Sequence, residues 1–314
     1  MLSADAAAEV AHAFRLGAGA RLTGTVERGE QGQIWQLETG RGLWAVKLAF
    51  GEPEATDGED AAFQEAAVAG GIPAPTVVRT AEGEVFAEVA GAQVRVYDWI
   101  DIHPPDRALD PGRVGRLVAA LHLVGFGGSR PEDPWYTEPV GADGWDSLIG
   151  ELRDAGAPFA ADMAARRDDL VELETLLEPA RELRTCHRDL WADNLRGTAS
   201  GGLCVIDWEN CGLADPGHEL ACVLFEFWLG DPGRAGELHR EYVRAGGPGR
   251  VDSRGSFSMA VAQIGHIGEV SCRAWLDPAR PQDERDRQIG RVAEFTGEPL
   301  TPGIVDAILA AVTS

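Results

Sequence analysis

Between residues 186 and 216 the chain reads CHRDLWADNLRGTASGGLCVIDWENCGLADP, and three of its polar side chains carry chemistry at informative spacing. Asp189 and Asn194 stand five residues apart on an expected loop. Asp207 follows thirteen residues after Asn194, where the apolar run LCVI ends. The carboxamide and the second carboxylate are hard oxygen donors. Mg²⁺ takes such donors from a protein and fills its other positions with phosphate oxygens and water. Asp189 is then left to accept a proton from a hydroxyl nucleophile. A fourth residue belongs with these three. Lys47, in WAVKLAF, is the one lysine among 28 basic residues, the other 27 being arginines. A chain that uses arginine everywhere else keeps here a compact ammonium on a slim stem instead of a planar fork.

The elements that must position these groups are legible. TGTVERG, QIWQLETG and LWAVKLAF read as three strands joined by tight turns at GEQG and TGRG. EDAAFQEAAVAGG has helical spacing and stops at glycines before IPAP. Strands near GEVFAEV and QVRVYDWI complete a five-stranded unit with one main helix. The prolines of IDIHPPDRALDP mark a linker, so the expected organisation is a first lobe over residues 1–100 and a second over 101–314. The second is mostly helical, with amphipathic stripes in PGRVGRLVAALHLVG and RRDDLVELETLLEPA and a short β-like run at CVIDW.

Composition narrows the function classes. The net charge of −23 argues against nucleic acid, whose phosphate backbone demands basic patches. Residues 1–100 carry a net −8 and residues 101–314 a net −15, a similar density that reads as general solvation. No run approaches the length of apolar chain needed to span a bilayer, and the N-terminal MLSADAAAEVAHAF has no basic region of a signal peptide. Five cysteines without CxxC spacing read as reduced, packed thiols. A cytoplasmic location is the expectation.

HRDLWADN matches the protein-kinase catalytic-loop pattern HRDLxxxN, and IDWEN stands where that superfamily has its DFG-type aspartate. The continuation GLADPGHELA leaves no room for a protein-kinase activation loop, and together these motifs resemble the aminoglycoside phosphotransferase family, related to choline and homoserine kinases. The resemblance covers about residues 20 to 230. It implies an α+β, protein-kinase-like two-lobed fold: a small five-stranded antiparallel N-lobe with one main helix and a larger, mostly helical C-lobe. It implies Asp189 as catalytic base, Asn194 and Asp207 as Mg²⁺ ligands, and Lys47, matching the third-strand pattern VAIK, on the nucleotide phosphates. The helix acid that pairs with the lysine in relatives falls at Asp60, with Glu59 or Glu65 as alternatives. Gly29 and Gly32 of the GEQG turn are the candidates for covering phosphate, and backbone groups of Asp98, Trp99 and Ile100 for reading the adenine edge. His187 and Asp215 are expected to be structural, Arg188 to be an orienting or surface residue, and Asp193 is left open between capping and substrate contact.

The expected activity is transfer of a phosphoryl group from ATP or GTP, with Mg²⁺, to a hydroxyl of a small molecule. An aminoglycoside or related antibiotic is the first expectation. A macrolide, choline, homoserine or a sugar is the alternative, and a non-catalytic nucleotide-binding module the rival from another class. Asp277, Asp283, Glu284 and Asp286 are candidates to line a cationic acceptor's pocket, or else to form a solvated loop.

Overall fold

The computed structural model describes residues 4–28, 32–49 and 58–313. The chain separates into two compact units: residues 1–106, 124–129 and 192–211 form one, and residues 107–123, 130–191 and 212–314 the other. The expected boundary near residue 100 is thus crossed again further on. Residues 192–211, which chain order alone puts in the second lobe, fold with the first unit.

The first unit is built on an antiparallel sheet of β1 (Arg21–Arg28), β2 (Gly32–Thr39), β3 (Gly42–Ala49), β4 (Val77–Val78), β5 (Ala87–Val89) and β6 (Ala92–Asp98). The strand order is β1-β2-β3-β6-β4, with β5 also on β6. The two-residue β4 is the strand beyond the five expected. Alternation decides which side chain meets which layer. Trp44, Val46 and Leu48 of β3, with Val94 and Val96 of β6, pack against Val10, Phe14 and Leu16 from helix α1 (Ala4–Ala13) and its end. Lys47 and Arg95, directly opposite in the β3–β6 register, therefore emerge on the other face. Helix α2 (Glu59–Ala69) buries Asp60, Ala61 and Phe63. The unit also takes in a short hairpin, β8 (Leu195–Gly197) on β9 (Leu203–Val205), which turns at Gly201, where φ is +80°.

The second unit contains α3 (Pro111–His122), α4 (Pro134–Thr137), α5 (Ala142–Asp154) and α6 (Ala160–Glu174). It continues with α7 (Pro216–Phe227), α8 (Pro232–Arg244), α9 (Ser258–Leu276), α10 (Gln282–Gly297) and α11 (Pro302–Thr313). Its two short strands, β7 (Arg184–Cys186) and β10 (Gly212–Ala214), pair antiparallel. Four of the described helices start with aspartate followed by proline: Asp110 accepts from the Arg113 N–H, Asp133 from Trp135, Asp215 from Gly217, and Asp231 from Gly233. Helices α3 and α8 approach closely at Gly115, where a Cβ would fall 2.2 Å from the carbonyl oxygen of Leu238. A sheet-containing first unit and a helical second one give the α+β, protein-kinase-like arrangement expected from the motifs. Among the described residues no helix is long and apolar enough to cross a membrane.

Candidate active site

In the first unit, the β8–β9 hairpin explains how residues thirteen apart come to one place. Leu195 pairs with Val205, and the Asn194 carbonyl accepts from the Ile206 N–H at 2.9 Å, so Asn194 and Asp207 both lie at the open end of the hairpin. Trp208 anchors the turn that follows. It is buried, donates from Nε1 to the Val205 carbonyl at 3.1 Å, and meets Phe63 of α2 edge-on at 5.4 Å. Asp207 itself has φ +63°, a left-handed conformation that costs a non-glycine residue energy and that Asp tolerates better than most.

Lys47 reaches this turn. Its Nζ is 2.6 Å from Asp207 Oδ1 and 2.8 Å from Glu209 Oε1. Glu209 also takes Arg95 Nη1 at 2.9 Å, and Arg95 in turn holds Asp60 at 2.7 Å. This corrects the expected partnership of the lysine. Asp60 of α2 pairs with Arg95, Glu65 with Arg79, and Glu59 accepts from the Ser129 N–H, while the carboxylates on Lys47 come from the IDWEN turn. The physical reason is the register. Arg95 stands beside Lys47 on the same face of the sheet and occupies the side toward Asp60.

The electrostatics follow from this chain of charges. Burial opposes the charge on Lys47, but Glu209 and then Asp207 outweigh it and raise its pKa. Burial likewise opposes ionisation of Glu209, yet Lys47 and Arg95 hold that carboxyl well below the usual range. Asp207 moves the other way, pushed up by burial and by the charge of Glu209. Its side chain keeps 43% of its exposure, whereas that of Lys47 keeps 17% and that of Glu209 21%, so Asp207 is the member most open to an incoming ligand. A carboxamide and an accessible carboxylate at one hairpin end suit a small divalent cation. The Asp60–Arg95 pair lies deepest, with side chains 1% and 5% exposed. Asp60→Asn leaves a buried guanidinium that, among the described residues, has only Glu209 to neutralise it, and is expected to lower stability by about 3 kcal/mol in urea unfolding.

The remaining nucleotide candidates are mixed. Gly32 opens β2 opposite Ala49, while Gly29 lies outside the described residues. The Asp98 N–H donates to the Thr76 carbonyl at 3.1 Å and the Trp99 N–H to the Leu43 carbonyl at 3.2 Å. The N–H groups of Asp98 and Trp99 are thus committed to neighbouring strands and loops. The Ile100 N–H has no partner among the described residues.

Asp189 belongs to the second unit, half-buried on the loop after β7. The loop is held from behind. Arg188 has φ +65°, and its N–H donates to Glu219 of α7. Glu219 Oε2 takes His122 Nε2 of α3 at 2.7 Å, and His122 Nδ1 lies 2.7 Å from the Tyr242 hydroxyl of α8. That hydroxyl accepts from the Gly249 N–H at 2.7 Å. Arg188 is not a surface residue. Its guanidinium lies 4.6 Å from the centre of the Tyr136 ring, donates to the Pro131 carbonyl, and is packed where a Cβ on Gly212 would come within 2.6 Å. His187 is fully buried, and Asp215 accepts from both Gly217 and Arg181 N–H groups, in line with structural roles. Asp193 contributes its carbonyl oxygen to Arg196.

A family model described as a phosphotransferase enzyme family matches residues 25–255. The chain belongs to that family.

The fold recurs in solved members and relatives of these phosphotransferases. A spectinomycin phosphotransferase bound to ADP and spectinomycin superposes with a TM-score of 0.65 at 16% identity, over 93% of this chain and 92% of that one. A choline/ethanolamine kinase family protein from Mesorhizobium loti gives 0.55 at 20% identity, over 99% of both chains. A microcompartment-associated aminopropanol kinase gives 0.59 at 16%, over 98% of both. At these identities the likeness is one of fold. In sequence, the chain is 30% identical over 173 residues to a Lhr helicase/probable uracil glycosylase of Mycolicibacterium smegmatis. That match takes in 51% of this chain, which spans only 11% of the length of that protein.

Two features of this family member were not singled out from its sequence: the bridging role of Glu209 with Arg95, and the His122–Glu219–Tyr242 support of the loop. The ligating atoms of His122, Glu219 and Cys186 lie within 4.8 Å of one another. Burial pushes the Cys186 thiol well above its ordinary value, however, and the histidine and glutamate bond to each other, so the set serves as a hydrogen-bonded brace. Burial raises the pKa of Glu219, but the bonds from His122 and Arg188 outweigh it and leave it below the ordinary 4.5. A carboxyl so depressed contributes stability that is complete above the unfolded value and is lost as pH falls through the folded one. Glu219→Gln is therefore expected to be less stable than the parent at pH 7, with the difference narrowing below about pH 4.5 in urea titrations.

Proposed function

We propose that this phosphotransferase moves the γ-phosphoryl group of a Mg²⁺-bound nucleoside triphosphate, ATP or GTP, to a hydroxyl of a small molecule. The observation that carries this reading is the ion pair of the chain's single lysine with Asp207, at the same hairpin end as Asn194. In this reading Lys47 binds the α- and β-phosphates as a point charge. Glu209 holds it in place from the other side. Ile100, just after β6, offers its N–H to the base edge in this reading. Asn194 and Asp207 would hold the metal, which supplies charge neutralisation between phosphates. The acceptor oxygen bonds to the γ-phosphorus as the bond to the β–γ bridging oxygen breaks. The nucleoside diphosphate leaves with the electron pair, and the hydroxyl proton passes to the Asp189 carboxylate. Most of the rate enhancement then comes from positioning and electrostatics.

For the acceptor, the proposal is an amine-bearing small molecule: an aminoglycoside or related antibiotic first, an amino alcohol of the choline, ethanolamine or aminopropanol type second. Named neighbours of both kinds support this range. The acids near the C-terminus lend the antibiotic reading little support. Asp283 pairs with Arg287, Glu284 lies near Arg280 and Arg287, and Asp286 accepts from Gln282, all on or beside exposed α10. The cytoplasm is the proposed location. A coupled ADP-release screen across amino sugars, macrolides and small amino alcohols tests the reading. Magnesium-dependent ADP release confined to one acceptor class is the expected result. Tight nucleotide binding without transfer to any acceptor would replace the enzyme by a binding module.

A further inference from the structure

Arg196 stands in the middle of β8, opposite Cys204 of β9, and is 6% exposed. Its guanidinium donates from Nε to the His103 carbonyl at 2.8 Å and from Nη1 to the Asp193 carbonyl at 3.0 Å. Among the described residues no carboxylate lies within ion-pair distance of it. A buried charge satisfied by main-chain carbonyls is an expensive way to fill a hairpin, so stability does not account for it. His103 belongs to the linker after β6, which is itself fastened to the hairpin. The His103 N–H donates to the Gly197 carbonyl at 2.7 Å, the Ala199 N–H to the Asp101 carbonyl at 2.9 Å, and Ile102 bridges to Thr198. The guanidinium therefore has a firm footing on one side. On the other it holds the carbonyl of Asp193, which shares a rigid peptide plane with the Asn194 nitrogen. The next peptide is pinned as well, because the Asn194 carbonyl accepts from Ile206. Both planes that flank Asn194 are thus held, and together they set the direction in which its side chain leaves the backbone.

We infer that Arg196 is a positioning residue for Asn194: by locking the peptide that enters Asn194 onto the linker, it presents the carboxamide to the metal-bound phosphates. A guanidinium suits the task because its donors lie in one rigid plane, so two carbonyls bonded to the same fork keep a set separation and angle. A methionine would fill much of the same volume, but would release the Asp193 peptide and leave two carbonyls without their donor. Mg²⁺ demands near-ideal octahedral geometry at about 2.1 Å, so a small rotation of that peptide is felt in metal affinity before it is felt in the fold. The inference rests on the reading of Asn194 and Asp207 as the metal's ligands, and an Asn194 variant separates the two.

The test titrates a fluorescent, non-hydrolysable ATP analogue against the parent, Asn194→Ala, Arg196→Met and Arg196→Lys, in EDTA and across a range of Mg²⁺ concentrations. Thermal unfolding verifies that each variant is folded. The parent is expected to bind the analogue more tightly with Mg²⁺, and Asn194→Ala to lose that gain. Arg196→Met should raise the Mg²⁺ concentration for half-saturation about tenfold, the range for residues that orient a metal's ligands, with affinity in EDTA within about twofold of the parent's. Arg196→Lys keeps the charge without the fork, so its half-saturation should fall between the two. A residue that only supports the fold would weaken binding alike with and without Mg²⁺, and that result overturns the inference. So does a parental Mg²⁺ response in Arg196→Met, or in Arg196→Lys should the methionine variant not fold. A Mg²⁺ gain that survives Asn194→Ala overturns it too, because Asn194 is then not the group being positioned. If Mg²⁺ has no effect on the parent, the metal reading of the hairpin falls and the inference falls with it. Loss of the gain in Asn194→Ala, with none in either Arg196 variant, removes the inference alone.

Discussion

Asp189→Ala is expected to lower turnover at least about a hundredfold while leaving nucleotide affinity near that of the parent. The split follows from where the residue sits. Asp189 lies on the loop after β7, within the second unit, whereas the lysine and the hairpin end belong to the first. Removing a base that acts on the hydroxyl takes away proton acceptance and orientation in the transition state, and leaves the phosphate contacts alone. Steady-state ADP release gives kcat, and fluorescent-nucleotide titration gives affinity. Activity close to the parent's would remove Asp189 from the reaction. A parallel loss of nucleotide affinity would assign it a structural role instead.

Lys47→Arg should be nearly as damaging, although charge is conserved. The ammonium reaches Asp207 and Glu209 as a compact donor from the middle of a strand, beside an arginine that already fills the neighbouring space. A guanidinium there is wider, carries its donors in a plane and meets Arg95 as a like charge. The expected result is a fall of about a hundredfold in kcat/KM for the nucleotide, the scale of losing one preorganised charged donor. Lys47→Met should match it, and should also leave Asp207 and Glu209 repelling each other without a shared cation. If arginine supports parental activity, the preservation of one lysine in this chain has no catalytic meaning.

Much of the framework was readable beforehand because its signals are local. Period-two alternation in LWAVKLAF and QVRVYDWI puts valines on one face and Lys47 on the other, and β3 and β6 follow it. HRDLWADN and IDWEN have fixed spacing around a hairpin, so Asn194 and Asp207 could be paired before any coordinates. What escaped depends on cross-strand register and helix contacts. Arg95 was visible as a lone charge between valines, but its position beside Lys47 is a matter of pairing between strands that are distant in sequence. The partner of Asp60 changed for that reason. Glu219, His122 and Tyr242 come from three helices that no short pattern links, and each alone looks like an ordinary helical residue. The grouping of residues 192–211 with the first unit was hidden too, since chain order cannot show that the path returns.

The close contact at Gly115 bears on that buried brace. Gly115 precedes His122 by two helical turns on α3, and Leu238 precedes Tyr242 by about one on α8. Even a methyl group at position 115 would have to push the two helix axes apart, and the hydroxyl–imidazole link between them has no slack to absorb the widening. The reach of the loop that carries Asp189 is therefore gauged by an atom that is missing. A position behind Asp189 that bears no functional group at all thus sets how near the two supporting helices can stand.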